Sequence, residues 1–167
     1  MKTLIILAHT DIQNSVINKR LLQEALKDQQ RFSIHDLTRV YAGGNIDAAR
    51  EQELIRTHDA LVLQFPLHNF SCPPILKSWI DAVMTHGFAY GRSSDGIAGR
   101  KVALAVTAGI KRATTAHKDA IILACARFLR RLSLRLNTIF TPITAAFSHF
   151  TAPRRLRAWT TYQARTI

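Results

Sequence analysis

Short apolar runs alternate along the chain with segments that carry apolar residues at helical spacing. Four of the runs are typical of strands in a parallel sheet, and they cover residues 2–8, 31–37, 59–65 and 101–107. The helical spacing, Asp47 as a helix cap and the Pro73-Pro74 pair at a helix start predict helices over residues 15–27, 47–55 and 74–84. Strands that alternate with helices indicate a parallel sheet covered by helices.

The same alternation continues to the end of the chain. The pattern predicts a long helix over residues 119–136, a fifth strand over 138–147 and a final helix over 154–164. No linker, repeat or low-complexity segment interrupts the pattern. We therefore predict one doubly wound α/β domain that spans residues 1–167.

Ligands of such sheets bind beyond the carboxyl ends of the strands. Three loops leave those ends here, at residues 9–15, 66–72 and 107–112. The first loop opens into a helix, whose free backbone N–H groups, with the hydroxyl of Ser15, form an anion site. Two alternatives stay open: His9 either donates to the anion or is a solvated loop residue, and Ser15 either binds the anion or only caps the helix.

Composition favours a soluble globular protein. Hydrophobic residues make up 47% of the 167 residues, and no run approaches the ~20 apolar residues that a membrane-spanning helix needs. The first apolar stretch is too short for a secretory signal, so we expect a cytoplasmic location. Cys72 and Cys125 provide neither a disulfide framework nor a metal-ligand cluster.

Positive charge is concentrated in the last part of the chain. Residues 1–100 hold 11 Lys and Arg against 10 Asp and Glu, whereas residues 101–167 hold 12 against the single acid Asp119. Three explanations stay open: a solvated basic face, a surface for the phosphates of NAD(P)H or for an acidic partner, and a sequence that has drifted. Nucleic-acid binding is disfavoured because no recognised nucleic-acid module accompanies the basic residues.

Four spaced motifs resemble the NAD(P)H quinone oxidoreductase branch of the flavodoxin-like proteins. They are Ala8-His9 with Ser15-x-x-Asn18-Lys19-Arg20-Leu21, the stretch Phe65-Pro66-Leu67-His68-Asn69-Phe70-Ser71-Cys72-Pro73-Pro74 continued to Asp81, the segment His86-Gly87-Phe88-Ala89-Tyr90-Gly91, and Thr107-Ala108-Gly109. The greatest similarity is to the ancillary flavoproteins of glutathione-regulated potassium efflux. The resemblance implies a flavodoxin-like three-layer sandwich with a five-stranded parallel sheet in the order 2-1-3-4-5.

The resemblance also implies FMN, or alternatively FAD, bound without a covalent bond. By position, His9 and the turn Ser15-Val16-Ile17-Asn18 would hold the flavin phosphate. The residues that would line the ring are Pro66, Leu67, His68, Asn69 and Phe70, and those on its pyrimidine side are Thr107, Ala108, Gly109 and Ile110. Asn69 stands where the family usually has Trp, and Ala108 and Ile110 replace Thr and Gly.

The implied reaction is ping-pong hydride transfer from NAD(P)H through flavin N5 to a quinone. The flavin carries the chemistry, and His68 and Tyr90 are the candidate catalytic side chains. Tyr90 and Phe88 would form an aromatic wall that faces the flavin of a partner subunit in a homodimer. The alternative function is a regulatory subunit that binds and activates a potassium-efflux membrane protein at the inner face of the membrane.

Overall fold

The computed structural model of the chain describes residues 1–69, 71–92 and 94–107. Four strands lie within them: β1 is Thr3–Leu7, β2 is Phe32–Asp36, β3 is Ala60–Pro66 and β4 is Lys101–Thr107. They form one parallel sheet in the order β2-β1-β3-β4. This order confirms the predicted 2-1-3-4 arrangement, while the predicted fifth strand and the helices over 119–136 and 154–164 lie outside the described residues.

Four α-helices connect and follow these strands: α1 is Ile17–Ala25, α2 is Leu37–Val40, α3 is Ala48–Arg56 and α4 is Pro74–Val83. Asp47 caps α3 as predicted, because its side chain accepts a hydrogen bond from the Arg50 amide at 3.0 Å. The short helix α2 was not predicted, and it begins where Asp36 accepts hydrogen bonds from two amides of the next turn. None of the helices in the described ranges combines the length and hydrophobicity that a bilayer crossing requires.

The helices cover both faces of the sheet. Successive side chains of a strand point to opposite faces, and in β1 Ile5 and Leu7 pack in one cluster with Leu22 of α1. Leu4 and Ile6 pack in a second, larger cluster with side chains of α2, α3 and α4. Every residue of β1 is buried, which explains why its sequence is a continuous apolar run.

A buried carboxylate accepts hydrogen bonds from two side chains of the larger cluster. Glu51 of α3 is 0% exposed, and it accepts hydrogen bonds from the Tyr41 hydroxyl at 2.6 Å and from Trp79 Nε1 at 2.7 Å. His35 Nε2 of β2 lies 2.9 Å from Glu51 Oε1. Burial by itself raises the pKa of Glu51, but the surrounding donors outweigh burial and hold the pKa below its usual range. Burial and the bond to Glu51 raise the pKa of Tyr41 to about 12.

Replacing Glu51 with Ala is expected to lower the free energy of unfolding by about 3 kcal/mol, because the buried Tyr41 and Trp79 donors lose their acceptor. Urea denaturation of the two proteins measures the difference. Glu53→Ala on the same helix is the matched control, since Glu53 is exposed, and its effect should stay within about 0.5 kcal/mol. Equal effects of the two substitutions would contradict the role given to Glu51.

The lowered pKa of Glu51 sets the sign of the pH dependence. The folded protein holds this carboxylate ionised below the ordinary value of 4.5, so the stabilisation is present above that value and is lost as the pH falls further. Glu51→Gln should therefore lose less stability than the wild type between neutral and acidic pH.

Candidate functional site

The carboxyl ends of the parallel strands bring the predicted site segments to one edge of the sheet. β1 ends at Leu7, β3 at Pro66 and β4 at Thr107. The predicted strand over residues 59–65 stopped before Pro66, but Pro66 is the last residue of β3 and pairs with Thr107 in register. The three predicted loops therefore begin side by side, in the position where open α/β sheets bind ligands.

The first loop leads into a helix whose start has no side-chain cap. Val16 is the N-cap residue, has helical backbone angles and makes no capping hydrogen bond. Within the described residues no side-chain capping hydrogen bond is found at this helix start, so the structure gives no support to Ser15 as a cap, and binding of an anion by Ser15 stays a prediction. Amide groups of an uncapped first turn attract anions, and the helix dipole adds to this attraction. The arrangement fits a phosphate group.

His9 lies half-buried at the beginning of this loop. Its Nδ1 accepts a hydrogen bond from the Asp11 amide at 3.1 Å, and its carbonyl accepts one from the Thr38 hydroxyl at 3.2 Å. Burial lowers the pKa of His9, Asp11 opposes this shift, and the imidazole of His68 lowers the pKa further. His9 is therefore held in place and is not a freely solvated loop residue.

The loop after β3 is fixed by backbone hydrogen bonds. The Leu67 amide donates to the Thr107 carbonyl at 2.8 Å. His68 and Ser71 exchange two amide-to-carbonyl bonds, each 2.9 Å long, and so close a tight turn. Asn69 lies in this turn with a φ of 46°, in the left-handed region that Asn adopts more readily than most residues. The residue that stands in place of the family's Trp is therefore suited to the turn.

Asn18 and Thr107 turn their side chains into the protein. Asn18 Nδ2 donates to Thr107 Oγ1 at 2.8 Å, and both side chains are buried. Gln64 of β3 joins them, because its Nε2 donates to the Asn18 carbonyl at 3.0 Å. Gln64 was not among the predicted site residues, although a polar residue inside an apolar strand was a signal that could have found it.

The aromatic pair Phe88 and Tyr90 is divided between core and surface. Tyr90 is 40% exposed, as a pocket wall requires. Phe88 is only 3% exposed and belongs to the larger core cluster, with the guanidinium of Arg56 5.1 Å from its ring centroid. The prediction that Phe88 lines an open pocket with Tyr90 is therefore wrong, because the segment after α4 folds this ring inward.

The remaining predicted residues have different outcomes. Cys72 and Trp79 are buried, whereas Cys125 lies outside the described residues. Phe70, Ala108, Gly109 and Ile110 also lie outside the described residues, so their predicted contacts to the ring stay predictions. In the described part of the chain, no three His, Cys, Asp or Glu side chains group as metal ligands.

Residues 1–132 match the sequence model of a protein family that is described as having the flavodoxin-like fold. The chain belongs to this flavodoxin-like family. The resemblance based on the four motifs is thereby confirmed. The match covers all described strands and helices and extends beyond them.

Two curated relatives illustrate the range of this flavodoxin-like family. The chain is 32% identical over 150 residues to the uncharacterized NAD(P)H oxidoreductase YrkL of Bacillus subtilis (strain 168), covering 90% of this chain and 86% of YrkL. It is 42% identical over 108 residues to KefG of Cronobacter sakazakii, an ancillary protein of a glutathione-regulated potassium-efflux system. That alignment covers 65% of this chain and 58% of KefG, so the chain spans less than two thirds of KefG.

Two solved structures share the flavodoxin-like fold. General stress protein 14 from Treponema denticola, solved in complex with FMN, is 43% identical to this chain with a TM-score of 0.78. The alignment covers 88% of this chain and 86% of the Treponema denticola chain. An NADPH-quinone reductase from P. pentosaceus is 26% identical with a TM-score of 0.70, and 89% and 85% of the two chains are covered.

The neighbourhood of His9 predicts how its titration responds to substitution. His68→Gln should raise the pKa of His9, because a nearby imidazolium disfavours a second positive charge. Asp11→Asn should lower it, since the carboxylate favours the charged imidazole. An NMR titration of the His9 ring proton measures both shifts, with His86→Gln as the control. An unchanged pKa in His68→Gln would show that the two imidazoles do not interact.

Proposed function

We propose that this protein binds FMN and acts as an NAD(P)H:quinone oxidoreductase. The observation that carries the proposal is the similarity to a solved FMN complex at 43% identity over 88% of the chain. The NAD(P)H oxidoreductase and NADPH-quinone reductase among the similar proteins support the choice of reductant and acceptor. FAD is the alternative cofactor.

The described residues fit FMN at both of its ends. The uncapped first turn of α1, from Val16 to Asn18, suits the phosphate, and the backbone of Asn18 is the part available because its side chain bonds Thr107. Ser15 and His9 flank this turn. The ring would lie against Pro66, Leu67, His68 and Asn69, whose backbone is held by bonds within the sheet edge and the turn.

When bound, FMN would supply the two-electron chemistry for a ping-pong hydride transfer from NAD(P)H to a quinone. The chain contributes the binding and orientation of the flavin and the electrostatics around it. His68 lies in the loop proposed to line the ring, and Tyr90 is an exposed residue. These two side chains are the candidates to hold a proton near the acceptor.

A homodimer is part of the proposal. Tyr90 is one of the few large apolar side chains that the described residues expose. In a dimer it would face the flavin of the other subunit and close the space above the ring. Phe88 has no part in that contact, because it is buried in its own subunit.

The purified protein is expected to be yellow or to become yellow when FMN is added. Its flavin absorbance should bleach with NAD(P)H and recover with a quinone. Release of the cofactor and its identification by mass distinguish FMN from FAD. Protein that binds neither flavin under any condition would overturn the proposed function.

A substitution at Ser15 tests the phosphate site separately from the ring. Ser15→Asp places a negative charge at the start of α1, where it suits the helix dipole but repels a phosphate. We expect the affinity for FMN to fall by at least about tenfold, while that for riboflavin, which lacks the phosphate, changes by less than about twofold. Ser15→Asn is the neutral control of similar size. Equal losses for both flavins would argue against a phosphate at this turn.

A second candidate function is a regulatory subunit of a potassium-efflux membrane protein. The 42% identity to KefG over 108 residues favours it, and the basic residues 101–167 would offer charge to an acidic partner. The two functions are compatible, because one flavin fold can serve both.

Binding to the cytoplasmic domain of a glutathione-regulated potassium-efflux protein should weaken at high ionic strength, because screening reduces charge attraction. Calorimetry at low and high salt measures the change. Four arginines of the basic segment are replaced by Gln in the test variant: Arg127, Arg130, Arg131 and Arg135. Four exposed arginines of the first half are replaced in the control: Arg20, Arg31, Arg39 and Arg50. Binding that is absent, or lost equally in both variants, would count against this function.

A further inference from the structure

Gln64 is a buried polar residue in a strand that is otherwise apolar. It lies between Leu63 and Phe65 in β3 and is 2% exposed. Burying an amide is unfavourable unless it is hydrogen-bonded. Its own carbonyl accepts from the Ala8 amide at 2.9 Å, and its side chain reaches the Asn18 carbonyl at 3.0 Å. Gln64 therefore bonds both to the residue that follows β1 and to the first turn of α1.

The bond to Asn18 is the first of a chain of hydrogen bonds. Asn18 Nδ2 donates to Thr107 Oγ1 at 2.8 Å, and the Thr107 carbonyl accepts from the Leu67 amide at 2.8 Å. These hydrogen bonds thus lead from β3 to α1, then to the end of β4, and then to the loop after β3. Gln64 and Asn18 are each 2% exposed, and hydrogen bonds removed from water in this way hold their geometry more firmly than exposed ones.

This series of hydrogen bonds connects the two ends of the proposed flavin site. The first turn of α1 is the phosphate side, and Leu67 and Thr107 belong to the ring side. In FMN a ribityl chain joins the phosphate to the ring, so one molecule reaches both sides only when they lie within the length of that chain. Ordering a loose site on binding costs affinity. A link between the sides therefore matters more for a ligand with both a phosphate and a ring than for a ligand with the ring alone.

We propose that Gln64 is a positioning residue that, through Asn18, holds the phosphate-binding turn of α1 in register with the ring-binding ends of β3 and β4. The proposal rests on the proposed function, because it assumes that a phosphorylated flavin is the ligand. Gln64 acts through Asn18 and does not itself contact the ligand. Its effect is on the alignment of the site and not on the chemical step.

Gln64→Met and Gln64→Leu test this role, because both fill the space of the side chain without the amide donor. The matched control is Leu63→Met, a tolerated substitution of a residue that is buried in the same strand and packs in the larger cluster on the opposite face of the sheet. We expect the affinity for FMN to fall by about tenfold in both Gln64 variants, and that for riboflavin to change by less than about twofold. Fluorescence titration of each flavin measures the two affinities.

Hydrogen exchange of the protein without flavin provides a second measurement. The amides of α1 from Arg20 to Leu22 should exchange faster in the Gln64 variants than in Leu63→Met, because the first turn has lost its link to β3. The thermal midpoints of all three variants should lie close together.

The outcomes separate this proposal from the proposed function. Wild-type protein that binds neither flavin would overturn the proposed function. Wild-type binding of FMN, together with equal losses of FMN and riboflavin or with no loss in the Gln64 variants, would overturn the role of Gln64 alone. Unchanged exchange in α1 would do the same. If both Gln64 variants unfold, the residue serves general stability, and the positioning role is overturned as well.

Discussion

The parallel pairing of β1 with β2 on one side and β3 on the other is the constraint on which the structure depends. Every residue of β1 is buried, so both faces of the strand need a helical layer. A shift of one residue in its register would exchange Leu4 and Ile6 with Ile5 and Leu7 and so mismatch both layers. Because the pairing is parallel, it also places the loops after β1 and β3 at the same edge. The burial that stabilises the sheet therefore also assembles the site.

Two buried polar groups add specificity to this apolar framework. Glu51 of α3 accepts hydrogen bonds on one face from Trp79 of α4 and from Tyr41, the residue that follows α2. Gln64 joins β3 to α1 on the other face, and Asn18 extends that link to β4. Apolar packing alone tolerates small sliding movements of a helix on a sheet, whereas hydrogen bonds between fixed partners do not. The first group secures the helical layer, and the second aligns the elements that form the site.

The elements that depend on local pattern were predicted from the sequence, and those that depend on distant contacts were not. The apolar runs placed β1 and β4 within one residue at each end, and Asp47 marked the start of α3. Gln64 and Asn18 are 46 residues apart, and Asn18 and Thr107 are 89 apart, so no local period reports their bonds. Phe88 was misplaced for a similar reason, since its burial depends on Arg56 and on the path of the chain after α4. The motif resemblance supplied the location of the proposed site but not the direction of these side chains.

The backbone of the loop after β3 does not depend on the side chain at position 69. The backbone there is held by the bond between Leu67 and Thr107 and by the two bonds between His68 and Ser71, none of which uses the side chain of residue 69. Asn69 fits the left-handed backbone of the turn at φ 46°, which a larger side chain adopts at greater cost. A flavin ring recognised by such backbone groups does not depend on an aromatic side chain at this position. The absence of the family's Trp is therefore compatible with the proposed site.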